Sequence, residues 1–473
     1  MGHGGREDHA LVFEFQVSPP LDTRHPTLDP VFSIDDTAAA HGVPRPGPVM
    51  DDNVNHDTQL TVREMAQQAR AAARTLATLS GEARARALAA MPAALQEAKD
   101  ALMAANQADM AVARAAGLAE PLVKRLAVTD KVFRYMQDRL EEVAALPDPV
   151  GRTLEGQVRP NGLRVCRVSV PIGVIGIIYE SRPNVTTDAA AVCLKSGNAV
   201  ILRGGSEALQ TNQVLADAMI AATTANGMPD GTIQMVRTPG HEAVRELLHL
   251  EGLIDVIIPR GGKELVRTVA AESRIPVIKH FEGICHLYLA PDAPTEMAVA
   301  LAVNSKCERV EVCNALEKLL IDAECAPRLL PAVVQAFAAQ KVELRGCPRC
   351  RELEPGLTSA TDEDWTTEYL APILTVKIVD GLDDAIRHIN TYGSGHTDGI
   401  VTQRLDWAER FVAAVDSASV MVNASTRLSG GGDYGMGAVV GISTDKLHAR
   451  GPVGPRELTS YKWIAYGAGH LRG

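Results

Sequence analysis

The feature that most constrains the fold of this chain is an alternation of short apolar segments with helical stretches between residues 170 and 279. Each apolar segment is separated from the next by residues with helical periodicity. The segments are 174–178, 199–202, 233–236, 253–258 and 277–279. Strands that alternate with helices in this way form a parallel sheet covered by helices. The sequence therefore predicts an α/β protein.

Three of these predicted strands are followed by turns that contain glycine and, in two cases, basic residues. The turns are Arg203-Gly204-Gly205-Ser206, Thr238-Pro239-Gly240 and Pro259-Arg260-Gly261-Gly262-Lys263. Ligands of parallel sheets gather at the carboxyl ends of the strands, where glycine lets backbone amides approach an anion closely. The dinucleotide and Walker A glycine patterns are absent from these turns. The residues alone therefore leave a phosphate-bearing cofactor and ordinary strand-to-helix turns equally open.

The first 57 residues differ in composition from the rest of the chain. They carry a net charge of −7 out of the −11 of the whole sequence, and they are rich in proline without a helical or strand period. This composition predicts a disordered tail and is typical of neither a secretory signal nor a mitochondrial presequence. The acidic balance argues against non-specific binding to nucleic acids or membranes. We therefore expect a cytoplasmic protein.

From residue 61 to about residue 146 the sequence has the period of alanine-rich amphipathic helices. The pattern Thr61-Val-Arg-Glu64 predicts a capping box at the start of the first helix, and Pro147 and Pro149 end the helical region. Asn161-Gly162 lies between two strand-like segments and predicts a β-hairpin with a returning strand at 163–170.

Eight cysteines occur in a chain without a secretory signal, so we expect free thiols rather than a disulfide framework. They are Cys166, Cys193, Cys285, Cys307, Cys313, Cys325, Cys347 and Cys350. The pair Cys347-Pro-Arg-Cys350 has no partner pair at zinc-finger spacing. A plain loop is the favoured interpretation, while redox or metal chemistry stays open.

Five blocks of the sequence resemble one known family. The longest block, 170–188, reads Val-Pro-Ile-Gly-Val-Ile-Gly-Ile-Ile-Tyr-Glu-Ser-Arg-Pro-Asn-Val-Thr-Thr-Asp, and the others are 194–207, 257–263, 313–317 and 440–452. Together they resemble the gamma-glutamyl phosphate reductases, also called glutamate-5-semialdehyde dehydrogenases, a branch of the aldehyde dehydrogenase superfamily. The match runs in order from residue 61 to residue 463, so the tail alone lies outside it.

The resemblance implies a reductive step of proline biosynthesis. L-Glutamyl 5-phosphate and NADPH would give glutamate 5-semialdehyde, NADP+ and phosphate, with a cysteine thioester between the two half-reactions. Glutamate 5-kinase would supply the acyl phosphate. Some relatives carry that kinase as a domain, but the tail is too short to contain it. We expect that kinase to be a separate chain and a transient partner.

The resemblance also implies an aldehyde dehydrogenase-like architecture. An NADP(H)-binding domain would comprise residues 58–150 and 171–284, and a catalytic α/β domain would comprise residues 285–420. An oligomerisation element from residues 151–170 and 443–473 would extend a partner's sheet, which predicts a homodimer or homotetramer.

Cys313 is the nucleophile that the resemblance implies, since Cys313-Asn-Ala-Leu-Glu317 matches the block of the family that holds it. Asn304, Lys306 and Arg309 precede it as in the family, although Val310 replaces a common proline. Ser181 stands where ordinary aldehyde dehydrogenases have the asparagine of the oxyanion hole, and the Cys313 amide is the second expected donor. Cys285 is expected to be structural.

The remaining site residues are implied by the same blocks. Glu368 matches the carboxylate that holds the nicotinamide ribose. Further cofactor contacts are expected at Arg203, Gly204, Gly205, Ser206, Arg260, Gly261 and Gly262. The charged groups of the substrate are expected to meet Arg182, Asn184, Lys306, Arg309, Asn423 and Arg427. No metal is expected.

Ordinary aldehyde dehydrogenases use a glutamate to activate the water that hydrolyses the thioester. In the corresponding segment, 277–283, Lys279 and His280 lie nearest that place. Glu282 is close enough in sequence to stay a candidate for the base. The missing base favours phosphate over water as the partner in acyl transfer. Two alternatives stay open: a general aldehyde oxidoreductase of the same superfamily, and an oligomeric relative without catalytic activity.

Overall fold

The structure, a computed structural model, describes residues 53–118 and 120–472. Its first part is helical: α1 (Asn53–Leu76), α2 (Gly81–Glu97), α3 (Lys99–Ala115), α4 (Glu120–Leu126) and α5 (Asp130–Ala145). Of the predicted disordered tail, residues 1–52 lie outside the described residues, whereas residues 53–57 belong to α1. The predicted helix start at Thr61 is wrong, because α1 already begins at Asn53 and a capping-box pattern marks a start only where the preceding chain is not helical.

The predicted hairpin is confirmed. Strand β1 (Thr153–Val158) pairs antiparallel with β2 (Arg164–Pro171). Between them the Gly162 amide donates to the Arg159 carbonyl at 2.8 Å, and Gly162 has a φ of +88°, a conformation that favours glycine. This is why Asn161-Gly162 turns the chain at this point.

A four-stranded sheet follows in the chain. Its strands are β3 (Val174–Tyr179), β4 (Ala199–Gly204), β5 (Ile233–Met235) and β6 (Val256–Arg260), and its helices are α6 (Asn184–Lys195), α7 (Leu209–Ala225), α8 (His241–His249) and α9 (Lys263–Glu272). The order is β5-β4-β3-β6 and every pairing is parallel. The α/β class is thereby confirmed. The predicted last strand is reduced to a single bridge between Ile257 and Val277.

The order of this sheet creates a switch point between β3 and β6. From β3 the chain moves to β4 on one side, whereas β6 pairs on the other side of β3. In open parallel sheets a crevice forms at such a point, outside the carboxyl ends of the strands. Residues that follow β3 and β6 therefore line the expected ligand crevice.

A seven-stranded sheet forms the next part of the fold. Its strands are β7 (Cys285–Leu289), β8 (Leu316–Asp322), β9 (Glu343–Gly346), β10 (Thr358–Ser359), β11 (Ile373–Val379), β12 (Thr397–Val401) and β13 (Ser419–Val422). They are interleaved with α10 (Thr295–Cys307), α11 (Ala326–Ala339), α12 (Pro348–Leu353), α13 (Gly381–Tyr392) and α14 (Leu405–Ala414). The order is β10-β9-β11-β8-β7-β12-β13, again with parallel pairings. The amino ends of all seven strands therefore meet at one edge.

The last strands are β14 (Ile442–Ser443), β15 (Gly451–Pro452) and β16 (Thr459–Tyr466). β16 pairs antiparallel with β2, so that β1, β2 and β16 form a three-stranded sheet. The short β14–β15 pair is separate from it, and near this pair the Thr444 amide donates to the Lys279 carbonyl at 3.2 Å. Residues 443–473 thus contribute to two separate sheets, the β14–β15 pair and the three-stranded sheet that contains β16. Within the part of the chain that the structure describes, no helix has the length and apolar character needed to span a bilayer.

Candidate active site

Cys313 lies at the amino edge of the seven-stranded sheet, in the turns that connect α10 to β8. Two other segments reach the same edge. Residues 280–283 precede β7, and His396 immediately precedes β12. Because β7, β8 and β12 are parallel neighbours or share a neighbour, their amino ends lie side by side. The fold thereby brings together residues that are far apart in sequence.

Two histidines flank the Cys313 thiol. One ligand atom each from His280, Cys313 and His396 lies within 4.8 Å of the other two. The two imidazole rings meet edge to face, with their centroids 5.4 Å apart. His280 Nδ1 lies 3.1 Å from the Ile442 carbonyl oxygen, and His396 Nδ1 lies 2.9 Å from the Thr397 hydroxyl. These two contacts hold the rings in place beside the thiol.

The surroundings of Cys313 favour its thiolate. Burial opposes ionisation, but His396 and then His280 outweigh burial and hold the pKa of the Cys313 thiol well below its usual range. Cys285 is different, because burial raises the pKa of its thiol well above the usual range. Its Sγ lies 3.2 Å from the Cys313 carbonyl oxygen, to which it donates. Cys313 is therefore the reactive thiol of this pair.

Glycine is required at position 283, directly against the backbone of Cys313. A Cβ built on Gly283 would overlap the carbonyl group of Cys313. The Gly283 amide donates to the Glu368 carboxylate at 2.8 Å, which places Glu368 next to the segment that supports Cys313. Burial, and after it the charge of Cys313, raises the pKa of Glu368 to about 7. Ribose binding by Glu368 remains a prediction.

Lys306 has no surface that a substrate could reach. Its side chain is 0% exposed, and its ammonium pairs with Glu317 at 3.0 Å, itself 1% exposed. Burial lowers the pKa of Lys306, while Glu317 raises it in part. The expected substrate contact at Lys306 therefore does not hold in this structure, because the ammonium is already neutralised inside the domain.

Arg427 contacts Asn314, the residue that follows Cys313. Its guanidinium donates to the Asn314 side-chain oxygen, and its Nε donates to Glu308 at 2.6 Å. Arg309, by contrast, is more than half exposed and pairs with Glu311 at 3.2 Å. Each arginine thus pairs with a carboxylate, and contact of either one with a substrate remains a prediction.

Asn423 stabilises a turn. Both ends of its side-chain amide bond to the backbone of Thr402, at 3.0 Å and 2.8 Å. Asn423 also has a φ of +53°, which asparagine tolerates better than most residues. These two bonds hold the turn after β12 but leave one N–H and one lone pair of the exposed amide free, so contact of Asn423 with a substrate remains a prediction.

Arginines gather at the switch point of the four-stranded sheet. Arg182 follows β3, and Arg260 ends β6. Burial and then the charges of Arg260 and Arg125 lower the pKa of Arg182, whereas negative charge at Cys313 raises it. Burial lowers the pKa of Arg260, and Cys313 again raises it. These cations therefore lie close enough to the thiol and to one another for their charges to interact.

Asn184 begins α6 and bonds to a buried carboxyl group. Its side-chain amide donates to Asp188 at 3.0 Å. Burial raises the pKa of Asp188 to about 6, although Asn184 and the charges of Arg139 and Arg260 oppose the shift. Asn184 therefore fixes the residue that faces Arg260 from the helix, and its direct contact with a substrate remains a prediction.

The hydroxyl of Ser181 is already engaged. It donates to the Glu207 carboxylate at 2.9 Å, and the Ser181 amide donates to the same oxygen at 2.6 Å. The residue has a φ of +48°, a strained conformation for serine. Ser181 and Glu207 thus lock the turn after β3. A role of the hydroxyl in an oxyanion hole would require that it leave Glu207.

The predicted cofactor turns differ in which of their groups are free to bind a phosphate. The turn after β4 contains Gly204, Gly205 and Ser206, and the Arg203 guanidinium braces it by donating to the carbonyls of Gly204 and Pro239 at 2.8 Å and 3.0 Å. This arginine is therefore occupied by the backbone rather than free for a phosphate.

The Gly261-Gly262 turn after β6 is exposed and leads into α9. The Gly262 amide donates to the Glu180 carboxylate at 3.0 Å. An acidic group thus already stands at this helix start, so the amides there suit an anion.

The sequence profile of the aldehyde dehydrogenase family matches residues 49–348 and 355–436. The crystal structure of gamma-glutamyl phosphate reductase from Thermotoga maritima is 40% identical, with a TM-score of 0.85 over 87% of this chain and 100% of that chain. The chain belongs to the gamma-glutamyl phosphate reductase branch of the aldehyde dehydrogenase family. The fold and the family resemblance are thereby confirmed.

Two other solved members of the aldehyde dehydrogenase fold extend the comparison. Gamma-glutamyl phosphate reductase from Saccharomyces cerevisiae is 31% identical, with a TM-score of 0.49 over 87% of this chain and 99% of that chain. An engineered glycolyl-CoA reductase with bound NADP+ is 16% identical, with a TM-score of 0.63 over 85% of this chain and 96% of that chain. The second likeness concerns the fold alone.

Sequence reasoning did not predict three residues that this aldehyde dehydrogenase site brings together. The sequence points to His280 only as a neighbour of the missing base, and it does not point to His396 or Arg125. His396 lies in the loop before β12, and Arg125 lies in the short helix α4, outside every block that carried the resemblance. Neither residue has a sequence signal, because its relation to Cys313 exists only after the sheets and helices have packed.

Proposed function

We propose that this chain reduces L-glutamyl 5-phosphate to L-glutamate 5-semialdehyde with NADPH and releases phosphate. The observation that carries the proposal is the Cys313 thiol between two imidazoles, opposite the arginines at the switch point. A thiolate is the nucleophile that this chemistry requires, and arginines suit a phosphorylated, carboxylate-bearing substrate.

In the first half-reaction the Cys313 thiolate attacks the acyl carbon of the substrate. The C–S bond forms, the bond between that carbon and the phosphate oxygen breaks, and phosphate leaves with the electron pair. Arg182 and Arg260 are the proposed partners of the phosphate, since both interact with charge at Cys313. The result is a thioester on Cys313.

In the second half-reaction NADPH, when bound, supplies the hydride that reduces the thioester carbonyl. The Cys313 amide is the proposed donor to the oxygen that gains negative charge. The C–S bond then breaks, the aldehyde leaves, and the electron pair returns to the Cys313 sulfur. His280 and His396 lie within reach of that sulfur and stabilise the thiolate again.

The cofactor site that we propose is the carboxyl edge of the four-stranded sheet. The exposed Gly261-Gly262 turn and the start of α9 are the proposed site for a phosphate of NADPH, because backbone amides at a helix start bind anions, and Glu180 would release the Gly262 amide when the phosphate binds. Glu368 would hold the nicotinamide ribose from the other side of the crevice. Arg203 would act indirectly, through the turn that it braces.

Hydrolytic aldehyde oxidation, the main alternative, needs a free carboxylate that activates water. Glu282, the acidic residue nearest the expected place, forms an ion pair with Lys263. That pairing favours phosphate as the partner of the acyl group. We place the reaction in the cytoplasm, because all eight cysteines are free, and we propose glutamate 5-kinase as the separate source of the substrate.

The test compares Cys313→Ser with Cys307→Ser, a matched change of a partly buried cysteine nearby in sequence. We expect Cys313→Ser to lower turnover by about 1,000-fold or more, because the nucleophile is lost, while Cys307→Ser keeps most of it. The assay is reduction of NADP+ with glutamate 5-semialdehyde, with and without phosphate. Turnover that does not depend on phosphate would contradict the proposed reaction and favour general aldehyde oxidation.

A further inference from the structure

His280, Cys313 and His396 have the composition of a metal site as well as of a nucleophile site. Their ligand atoms lie within 4.8 Å of one another. In a tetrahedral zinc site with Zn–N and Zn–S bonds of ordinary length, ligand atoms are about 3.5 Å apart. A movement of about 1 Å by side chains would close that difference. The cluster is therefore nearly assembled before any ion arrives.

The two imidazoles are held as in protein metal sites. Metal-binding histidines usually bond through one ring nitrogen to a carbonyl or other oxygen, which orients the second nitrogen toward the metal. His280 Nδ1 meets the Ile442 carbonyl oxygen at 3.1 Å, and His396 Nδ1 meets the Thr397 hydroxyl at 2.9 Å. His396 is 1% exposed, and its Nε2 is buried without a hydrogen-bond partner. Within the described residues, no group donates a hydrogen bond to that buried nitrogen or accepts one from it.

We propose that His280, Cys313 and His396 bind one Zn²⁺ ion, which caps the thiolate and reversibly inhibits the enzyme. One sulfur and two imidazole nitrogens form a ligand set that suits Zn²⁺, with the fourth position open to water. Binding releases the thiol proton wherever the thiol is protonated, and no oxidation is involved. The inhibition rests on the proposed function of Cys313, whereas the binding does not.

The ligand set decides which divalent cation the site can hold against the charge of the nearby arginines. Arg182 and Arg260 interact with charge at Cys313 and repel a cation that binds by charge alone. Mg²⁺ and Ca²⁺ prefer oxygen ligands and gain nothing from a thiolate. We therefore expect the site to take Zn²⁺ and reject both of those ions. The acyl phosphate substrate and Zn²⁺ need the same sulfur, so their binding is mutually exclusive.

The experiment titrates the reduced, metal-free full chain with Zn²⁺ in competition with a chromogenic chelator. We expect one equivalent per chain in the wild type, and a loss of affinity of about 100-fold or more in His396→Gln and in His280→Gln. Circular dichroism of both variants checks that they fold. With Co²⁺ in place of Zn²⁺, the thiolate-to-metal charge-transfer absorption should appear in the wild type and disappear in Cys313→Ser.

The competing site is the Cys347–Cys350 pair, whose Sγ atoms are 3.5 Å apart. The double variant Cys347→Ser/Cys350→Ser should keep the zinc equivalent and its inhibition. Loss of the equivalent in that variant, its retention in Cys313→Ser, or its absence from the wild type would each overturn the metal site. If Cys313→Ser loses zinc but keeps turnover, the site stands and the proposed reaction fails. Full activity of the zinc-loaded wild type would overturn the inhibition.

Discussion

At the scale of single residues, the reactivity of Cys313 comes from its neighbours rather than from the cysteine itself. Cys285 lies next to it, yet burial raises the pKa of the Cys285 thiol, whereas His396 and His280 lower that of Cys313 against the effect of burial. His396 lies near both thiols, since its Nδ1 is 3.8 Å from the Cys285 Sγ, but burial dominates at Cys285, whereas two imidazoles together outweigh burial at Cys313.

Asp188 provides a test of burial at the residue scale. Its pKa is about 6 in the folded chain, against an ordinary value of 3.8. The folded state therefore binds this proton more tightly than the unfolded state, so the contribution of Asp188 to stability is greatest at low pH and falls as the pH rises from about 4 through about 6. Asp188→Asn keeps an oxygen for Asn184 and removes the charge. We expect it to raise the free energy of unfolding at pH 7.5 by about 1 to 3 kcal/mol.

The measurement is urea unfolding of both proteins at pH 7.5 and pH 4. The difference should shrink at the lower pH, where Asp188 is protonated in the folded state and partly protonated in the unfolded state. A variant that is less stable than the wild type at pH 7.5 would show that Asp188 is held as a needed anion by Arg139 and Arg260.

At the scale of elements, strand β8 positions a loop of the site through its side chains. Strand β8 begins at Leu316, three residues after Cys313, and its second and third residues are Glu317 and Lys318. Glu317 accepts from the Leu370 amide at 3.3 Å, and Lys318 donates to the Thr367 carbonyl at 2.7 Å. Both contacts fix the loop that holds Glu368. The strand that follows Cys313 therefore also positions the carboxylate on the other side of the crevice.

Glu317→Gln tests this arrangement. The change leaves the Lys306 ammonium buried without its carboxylate, so we expect a loss of about 3 to 5 kcal/mol in the free energy of unfolding. Glu308→Gln is the matched control, because Glu308 pairs with Arg427 at a more exposed position and should cost about 1 kcal/mol or less. Urea unfolding at neutral pH measures both. Equal effects of the two substitutions would argue against the buried pair as the support of the loop.

At the scale of the whole molecule, the three-stranded sheet has an exposed surface that the described chain does not cover. All six residues of β1 are exposed, and β1 and β16 are its two edges. Trp463 is 55% exposed and Tyr461 is 49% exposed. Uncovered strand edges with large apolar side chains pair readily with another chain. This surface supports the expected dimer or tetramer.

Trp463→Lys tests the assembly. We expect the wild type to be a dimer or a larger even assembly at micromolar concentration, and the variant to shift toward the monomer because a charge replaces buried apolar surface. Light scattering after size-exclusion chromatography measures the mass. Leu405→Lys is the control, since Leu405 is 72% exposed at the start of α14, away from the sheet. A monomeric wild type would contradict the predicted oligomerisation element.

Local pattern in the sequence was enough to determine the elements and the family. The alternation of residues 170–279 and the Asn161-Gly162 turn depend on neighbours in the chain, so the parallel sheet and the hairpin could be predicted. The block around Cys313 could be recognised for the same reason. The exact start of the first helix could not, because residues before a capping box can continue the helix.

Tertiary structure decided which side chains surround the thiol and which are withdrawn from it. Lys306 lies in the same sequence motif as Cys313, yet it is buried against Glu317, while His396 arrives at the thiol from the loop before another strand. Burial and charge at a site depend on distances in space, and parallel strands bring together ends that the chain keeps far apart. The sequence alone therefore determined the fold and the family and pointed to Cys313, and only the packed sheets decided the electrostatics around its thiol.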